Sequence, residues 1–277
     1  MEGSTVALFG DSGSGKTTQV GEYAKFIYKR SGTRTRLNTA DLGGYESIMP
    51  LVRAGIVIPN EFDPGSHDPW IWINEAVTSA PAGVGLNCFD SGTSMSEALL
   101  TACAKSDFKI GQQNTQRFTV SKGDAKLNVS INNEAHYGVV QGFMLDAIWR
   151  SMGAARKGVD VLWTFSVHRG EMQDRGQILG PKLAGKALTP SIPKWFKYCW
   201  RIDSIPQEGG SPVHRLYLQE YPELAGMGHS FGNARYPMGA TTALPPFIEP
   251  ASIADAFRLI AAGHEEADAA LKAELGL

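Results

Sequence analysis

Residues 10–17 read Gly10-Asp11-Ser12-Gly13-Ser14-Gly15-Lys16-Thr17, glycines at the first and sixth positions followed by Lys and Thr. That spacing, G-x-x-x-x-G-K-[ST], has a strict physical basis. Its glycines let successive backbone N–H groups converge on a phosphate, and the positive end of a following helix adds to them. Lys16 supplies a mobile charge for β- and γ-phosphates, and the Thr17 hydroxyl suits Mg²⁺. The expected nucleotide-binding set is Gly10, Asp11, Ser12, Gly13, Ser14, Gly15, Lys16, Thr17 and Thr18. The flanks agree. Thr5–Phe9 is a continuous apolar run suited to a strand buried on both faces. After the loop, Val20, Ala24 and Ile27 recur at helical spacing, widened by Tyr23 and Phe26 and stopped at Gly32. A glycine-rich turn without nucleotide is the plain alternative. Other glycine motifs fail: no third glycine completes a dinucleotide fingerprint, and Ser14 stands where a G-x-S-x-G elbow needs glycine.

Along the chain an α/β rhythm follows. Strands are expected at Arg34–Ala40, Val84–Phe89, Val159–Val167, Tyr198–Ile205 and Val213–Glu220. Helices are expected at Tyr45–Ala54, Trp70–Ala80, near Met95–Ala102, at His136–Lys157 and from Ser252, with Asp255 completing a capping-box variant. Pro59–Pro69 and 168–193 read as loops. Residues 106–135 interrupt the rhythm; alternation around Lys122-Gly123-Asp124 predicts a hairpin there. The expectation is one nucleoside triphosphatase domain over 1–277: a core at 4–205, an insertion at 106–135 and a C-terminal extension at 206–277.

The remaining composition narrows the class. The 277 residues carry a net charge of −2, so no global basic field draws the chain to polyanions. Cys88, Cys103 and Cys199 are odd in number and widely spaced, which suits reduced buried thiols rather than a disulfide or zinc framework. With no membrane-length apolar run, a cytoplasmic protein is expected.

Several triphosphatase classes are excluded: no N-K-x-D run reads guanine, and no L-S-G-G-Q-like segment marks a transporter ATPase. Asp90, ending a buried strand beside such a loop, is expected to be linked to Mg²⁺; a helix N-cap is its alternative. Ser91 follows it where DNA-packaging and most hexameric motor ATPases place Glu. Arg175–Ile202 holds six basic residues and no acidic one, interleaved with Trp195, Phe196, Tyr198 and Trp200. Cations and π-faces together suit single-stranded nucleic acid, whereas core rings are the plainer reading.

The order of these motifs resembles the RecA-like ATPases, and most closely the small phage recombination ATPases of the Sak group. The resemblance covers roughly residues 4–205. It implies a mostly parallel α/β sheet flanked by helices and Mg²⁺-dependent ATP hydrolysis. It further implies single-stranded DNA handling, a homo-oligomer and, for a phage-encoded protein, the host cytoplasm. Asp90-Ser91 matches the family's Mg²⁺-associated aspartate. Asp41 stands where the family carries a carboxylate that aligns the attacking water, usually Glu; Glu46 is the alternative, and a turn residue before Gly43-Gly44 the plainer reading of Asp41. His168 stands where members sense the γ-phosphate, or is a hydrogen-bonded strand-end histidine. Lys182 and Lys186 are candidates for DNA contact, or for reaching a neighbouring subunit's ATP. Two other functions stay open: an assembly ATPase with slow turnover and no DNA, and a small-molecule kinase.

Overall fold

The computed structural model describes residues 2–41, 43–79, 81–105, 116–122, 125–131, 134–172, 176–184, 189–222, 229–230 and 233–275. β1 (Thr5–Phe9) runs into the glycine loop and α1 (Lys16–Ser31). Then come β2 (Arg34–Thr39), α2 (Met49–Arg53), β3 (Val57–Glu61), α3 (Pro69–Thr78), β4 (Val84–Asp90) and α4 (Gly92–Lys105). A hairpin of β5 (Gln116–Lys122) and β6 (Ala125–Ile131) precedes α5 (Glu134–Ala155) and β7 (Asp160–Phe165). β8 (Val167–Met172), β9 (Gly176–Pro181), β10 (Tyr198–Ile205) and β11 (Val213–Tyr217) follow. The chain then forms the two-residue strands β12 (Tyr221–Pro222), β13 (His229–Ser230), β14 (Asn233–Ala234) and β15 (Phe247–Ile248), and ends in α6 (Ile253–Leu275).

The main sheet has the order β15-β11-β10-β1-β7-β4-β2-β3. Every pair from β10 to β3 is parallel, and β11 and β15 extend the sheet antiparallel. This is the expected α/β arrangement: a mostly parallel sheet flanked by helices, with a hairpin insertion and a C-terminal helix. Alternation along β1 explains its two-sided burial. Ala7 and Phe9 enter one core with Phe89 and Trp163, whereas Val6 and Leu8 enter another with Leu86 and Leu162. Helices α3, α4 and α5 supply the first core; α1 and α6 supply the second. Hence the central strands read as continuous apolar runs.

The C-terminal extension docks rather than trails. Phe257 of α6 stacks on Tyr23 at 5.0 Å and meets Tyr198 and Trp200 edge-on, both at 5.4 Å. Ser252 Oγ accepts from the Asp255 N–H at 3.1 Å, the expected cap. Beneath α1, buried Asp160 accepts from the Ser4 N–H at 2.6 Å, the Tyr23 hydroxyl at 3.0 Å and Arg30 at 3.1 Å.

Three segments depart from expectation. The predicted 59–69 loop begins inside β3, which among the described residues pairs with β2 alone, and an edge strand tolerates proline. Residues 168–193, read as loop, contain the antiparallel β8–β9 pair. The predicted helix at 45–54 divides into a 3₁₀ turn, Glu46–Ile48, and α2, with Pro50 in α2's first turn.

Candidate functional site

Residues directly following the parallel strands' C-terminal ends gather around one cleft of about 600 Å³. The glycine loop follows β1, Asp41 follows β2, Ser91 and Ser94 follow β4, and Ser166 follows β7. Asp90 itself ends β4 and lines the same space, as does Glu46. The crevice outside the carboxyl ends of the strands is where open α/β sheets bind ligands.

Loop geometry explains its glycines. Gly15 caps α1 with φ +92°, a conformation that L side chains rarely adopt. A Cβ on Gly10 would meet Ile202 O at 2.2 Å, so β1 turns away from β10 only without one. No side chain caps α1, so its first-turn N–H groups have no intrahelical or side-chain acceptor. Ser14 Oγ is buried beside them without a partner among the described residues. Orphan donors at a helix N-terminus suit an anion.

Lys16 arches back over this loop, Nζ donating to Gly10 O at 2.9 Å and Asp11 O at 2.8 Å. Burial lowers its pKa, opposed by the charges of Asp90, Asp11 and Asp41. Asp11 also accepts both nitrogens of Arg169, at 3.2 and 2.9 Å, and those bonds hold its carboxyl below the usual range. Arg169 thus links β8 to the loop.

Asp90 is the meeting point. Thr17 Oγ1 donates to its Oδ2 at 2.9 Å, and Thr164 from β7 donates to its Oδ1. Burial pushes the Asp90 carboxyl upward; the two hydroxyls and Lys16 oppose that rise, and Asp41 adds to it. Asp90 is not the cap of α4. Ser91 takes that part, its Oγ accepting from the Ser94 N–H at 3.1 Å. Hard oxygen donors on Thr17 and Asp90 fit a magnesium ion, which takes few protein ligands beside substrate phosphates. Among the described residues no cluster of three His, Cys, Asp or Glu exists to hold a metal by itself.

Asp41 and Glu46 both line the cleft, so the structure brings together the two carboxylates the sequence left as alternatives. His168 lies on β8, paired in register with Gly180, and is not among the residues lining the cleft; Ser166, two residues earlier, is. The Ser166 N–H donates to Thr93 Oγ1 at 2.9 Å, and that hydroxyl donates to Lys182 O at 2.7 Å. Lys182 pairs with Glu97 at 3.5 Å. Lys186 lies outside the described residues. So do most of the loop positions in 106–135, and no side chain of that hairpin is described.

Sequence reading missed Thr164, Ser166 and His214. Thr164, near the end of β7, and Ser166, just past it, alternate in sequence with His168, a period-2 signal that could have found them. His214 has no local signal, because only the β10–β11 pairing brings it to the loop.

The mixed basic and aromatic segment resolves differently from its composition. Phe196 and Trp200 are fully buried and Tyr198 nearly so, as core rings. Lys197 reaches Gly3 O at 3.3 Å and Glu2 at 3.6 Å, and buried Arg201 pairs with Asp203. Acidic partners absent from the segment arrive from elsewhere in the chain.

No family model matches this chain, and no curated protein matches it. Solved structures do. The flagellar accessory protein FlaH from Methanocaldococcus jannaschii is similar with a TM-score of 0.43 and 10% identity, over 78% of this chain and 76% of that one. The KaiC-like protein PH0186 from Pyrococcus horikoshii OT3 is similar with a TM-score of 0.44 and 12% identity, over 85% of this chain and 90% of that one.

Proposed function

We propose that this chain binds ATP with Mg²⁺ and hydrolyses it to ADP and phosphate. The observation that carries the reading is the 2.9 Å bond between the Thr17 hydroxyl and the Asp90 carboxylate at the mouth of the glycine loop. Thr17 comes from the first turn of α1 and Asp90 from the end of β4, and both line the same cleft as Lys16. In this reading the first-turn N–H groups of α1 donate to the β-phosphate oxygens, and Lys16 exchanges its loop carbonyls for β- and γ-phosphate oxygens. Thr17 and Asp90 would hold the cation, whose positive charge would offset the negative charge on the phosphates. Asp41 or Glu46, both lining the same cleft, orients the attacking water and takes its proton.

Which carboxylate does so is testable. Asp41→Asn is expected to leave ATP affinity near parental and to slow the chemical step by about 10²-fold, the usual scale of general base loss. Single-turnover phosphate release checks this. If Asp41→Asn keeps the parental rate and Glu46→Gln loses it, the role belongs to Glu46.

The finer reading couples turnover to single-stranded DNA in phage-type recombination by a homo-oligomer, with His168 sensing the γ-phosphate and Lys182 or Lys186 touching DNA or a neighbour's ATP. Its support is the motif order and those cations. Burial of Phe196, Tyr198 and Trp200 favours a second reading, in which the nucleotide organises an assembly and turnover is slow. Turnover measured with and without an oligonucleotide at low and moderate salt separates them. Coupling to DNA gives stimulation that salt abolishes; an assembly ATPase gives the same rate in every arm.

A further inference from the structure

A nucleotide laid across the glycine loop has a direction. In the sheet, β7, β4 and β2 lie on one side of β1, and β10 and β11 on the other. Ser166, Asp90 and Asp41 belong to the first side, so on the proposed ATP reading the γ-phosphate points there. The ribose and base then extend toward β10 and β11.

His214 is what β11 places at that end. It stands opposite Ser204 of β10 and lines the same cleft. A Cβ built on Gly15 would lie 3.3 Å from its Nδ1 and 3.4 Å from both Cγ and Cε1. An in-plane approach along Nδ1 would leave its two ring neighbours clearly farther, so the imidazole lays its face on the loop. Its Nδ1 is buried and has no hydrogen-bond partner among the described residues.

The ring's position is braced from α1, the helix that begins with Lys16. His214 O accepts from the Ala251 N–H at 2.7 Å, and Ala251 O accepts from Gln19 Nε2 at 2.9 Å. Gln19 Oε1 in turn accepts from the Ile253 N–H at 3.0 Å, at the start of α6. One buried glutamine therefore ties the C-terminal extension to the phosphate loop.

We propose that His214 forms the base-side wall of the nucleotide site, its ring stacking against the nucleobase of the bound triphosphate. This rests on the proposed nucleotide reading. The C-terminal extension thereby becomes part of the binding site rather than an appendage.

Equilibrium binding of ATP and of inorganic tripolyphosphate to the parent, His214→Ala and His214→Phe tests it. His214→Ala is expected to weaken ATP about tenfold, the scale of losing one stacked ring, and to leave tripolyphosphate within about twofold. His214→Phe is expected to keep the parental ATP affinity. Should His214→Ala fail to fold, His214→Leu, bulky but without a π-face, carries the same comparison against Phe. Parental ATP affinity in the Ala or Leu variant overturns the proposal. So does an equal loss of both ligands, which marks damage to the phosphate loop. A parent that binds neither ligand sinks the nucleotide reading itself.

Discussion

Lys16→Ala is expected to abolish ATP turnover in a protein that still folds. On the proposed reading the Lys16 ammonium meets the charge that accumulates on the γ-phosphate, and removing one such group typically costs about 10²–10³-fold in rate. Its structural contribution is small. In the free protein it makes two hydrogen bonds to Gly10 and Asp11 carbonyls beside open cleft. Their loss costs on the order of 1 kcal/mol each at most. Phosphate release with Mg²⁺ and ATP, read beside a thermal melt, checks both halves. Retained turnover in a folded variant removes the basis of the whole assignment.

Asp90→Asn should act as strongly and reveal the cation. The carboxylate is 6% exposed and accepts from two threonine hydroxyls on different elements. Asn keeps one acceptor oxygen and the shape, while its amide nitrogen turns a donor toward a hydroxyl. The charge that would face Mg²⁺ disappears. Turnover is expected to fall about 10²-fold or more, with a higher Mg²⁺ concentration needed for what remains. Stability moves differently. Burial opposes the charged form of Asp90, so neutralising it removes a desolvation cost and offsets the imperfect bond to Thr17 or Thr164. The melting temperature is therefore expected to stay close to parental. A titration of Mg²⁺ against rate decides it: an unchanged profile means the cation is held by other oxygens.

Both variants follow from residues already conspicuous in the sequence, and the reason is locality. Residues 10–17 build the glycine loop that opens α1 from their own backbone, so contiguous letters carry its geometry. Strands buried on both faces are similarly legible, because each side chain of Val6-Ala7-Leu8-Phe9 must be apolar whichever core it enters. That is why β1, β4 and β7 were predicted almost to the residue. Asp90, at the end of such a strand, inherits its visibility from the strand.

What needed the tertiary structure is whatever depends on a partner distant in the chain. Pro59 makes β3 look like loop, and its edge position, with β2 as its one strand neighbour among the described residues, lets it pair. That Ser91 rather than Asp90 caps α4, while Thr17 and Thr164 converge on Asp90 from α1 and β7, is visible only in the folded chain. Rings and cations of 175–202 left two readings, a nucleic-acid surface and core rings. Phe196 packs on Phe165 in one core, Phe257 of α6 meets Tyr198 and Trp200 in the other, and acidic groups outside the segment give Lys197 and Arg201 partners. His214 is the extreme case, some two hundred residues from Gly15 in the chain and in contact with it in space. No local pattern marks such a residue, because its place is decided by strand pairing across the sheet rather than by its neighbours in sequence.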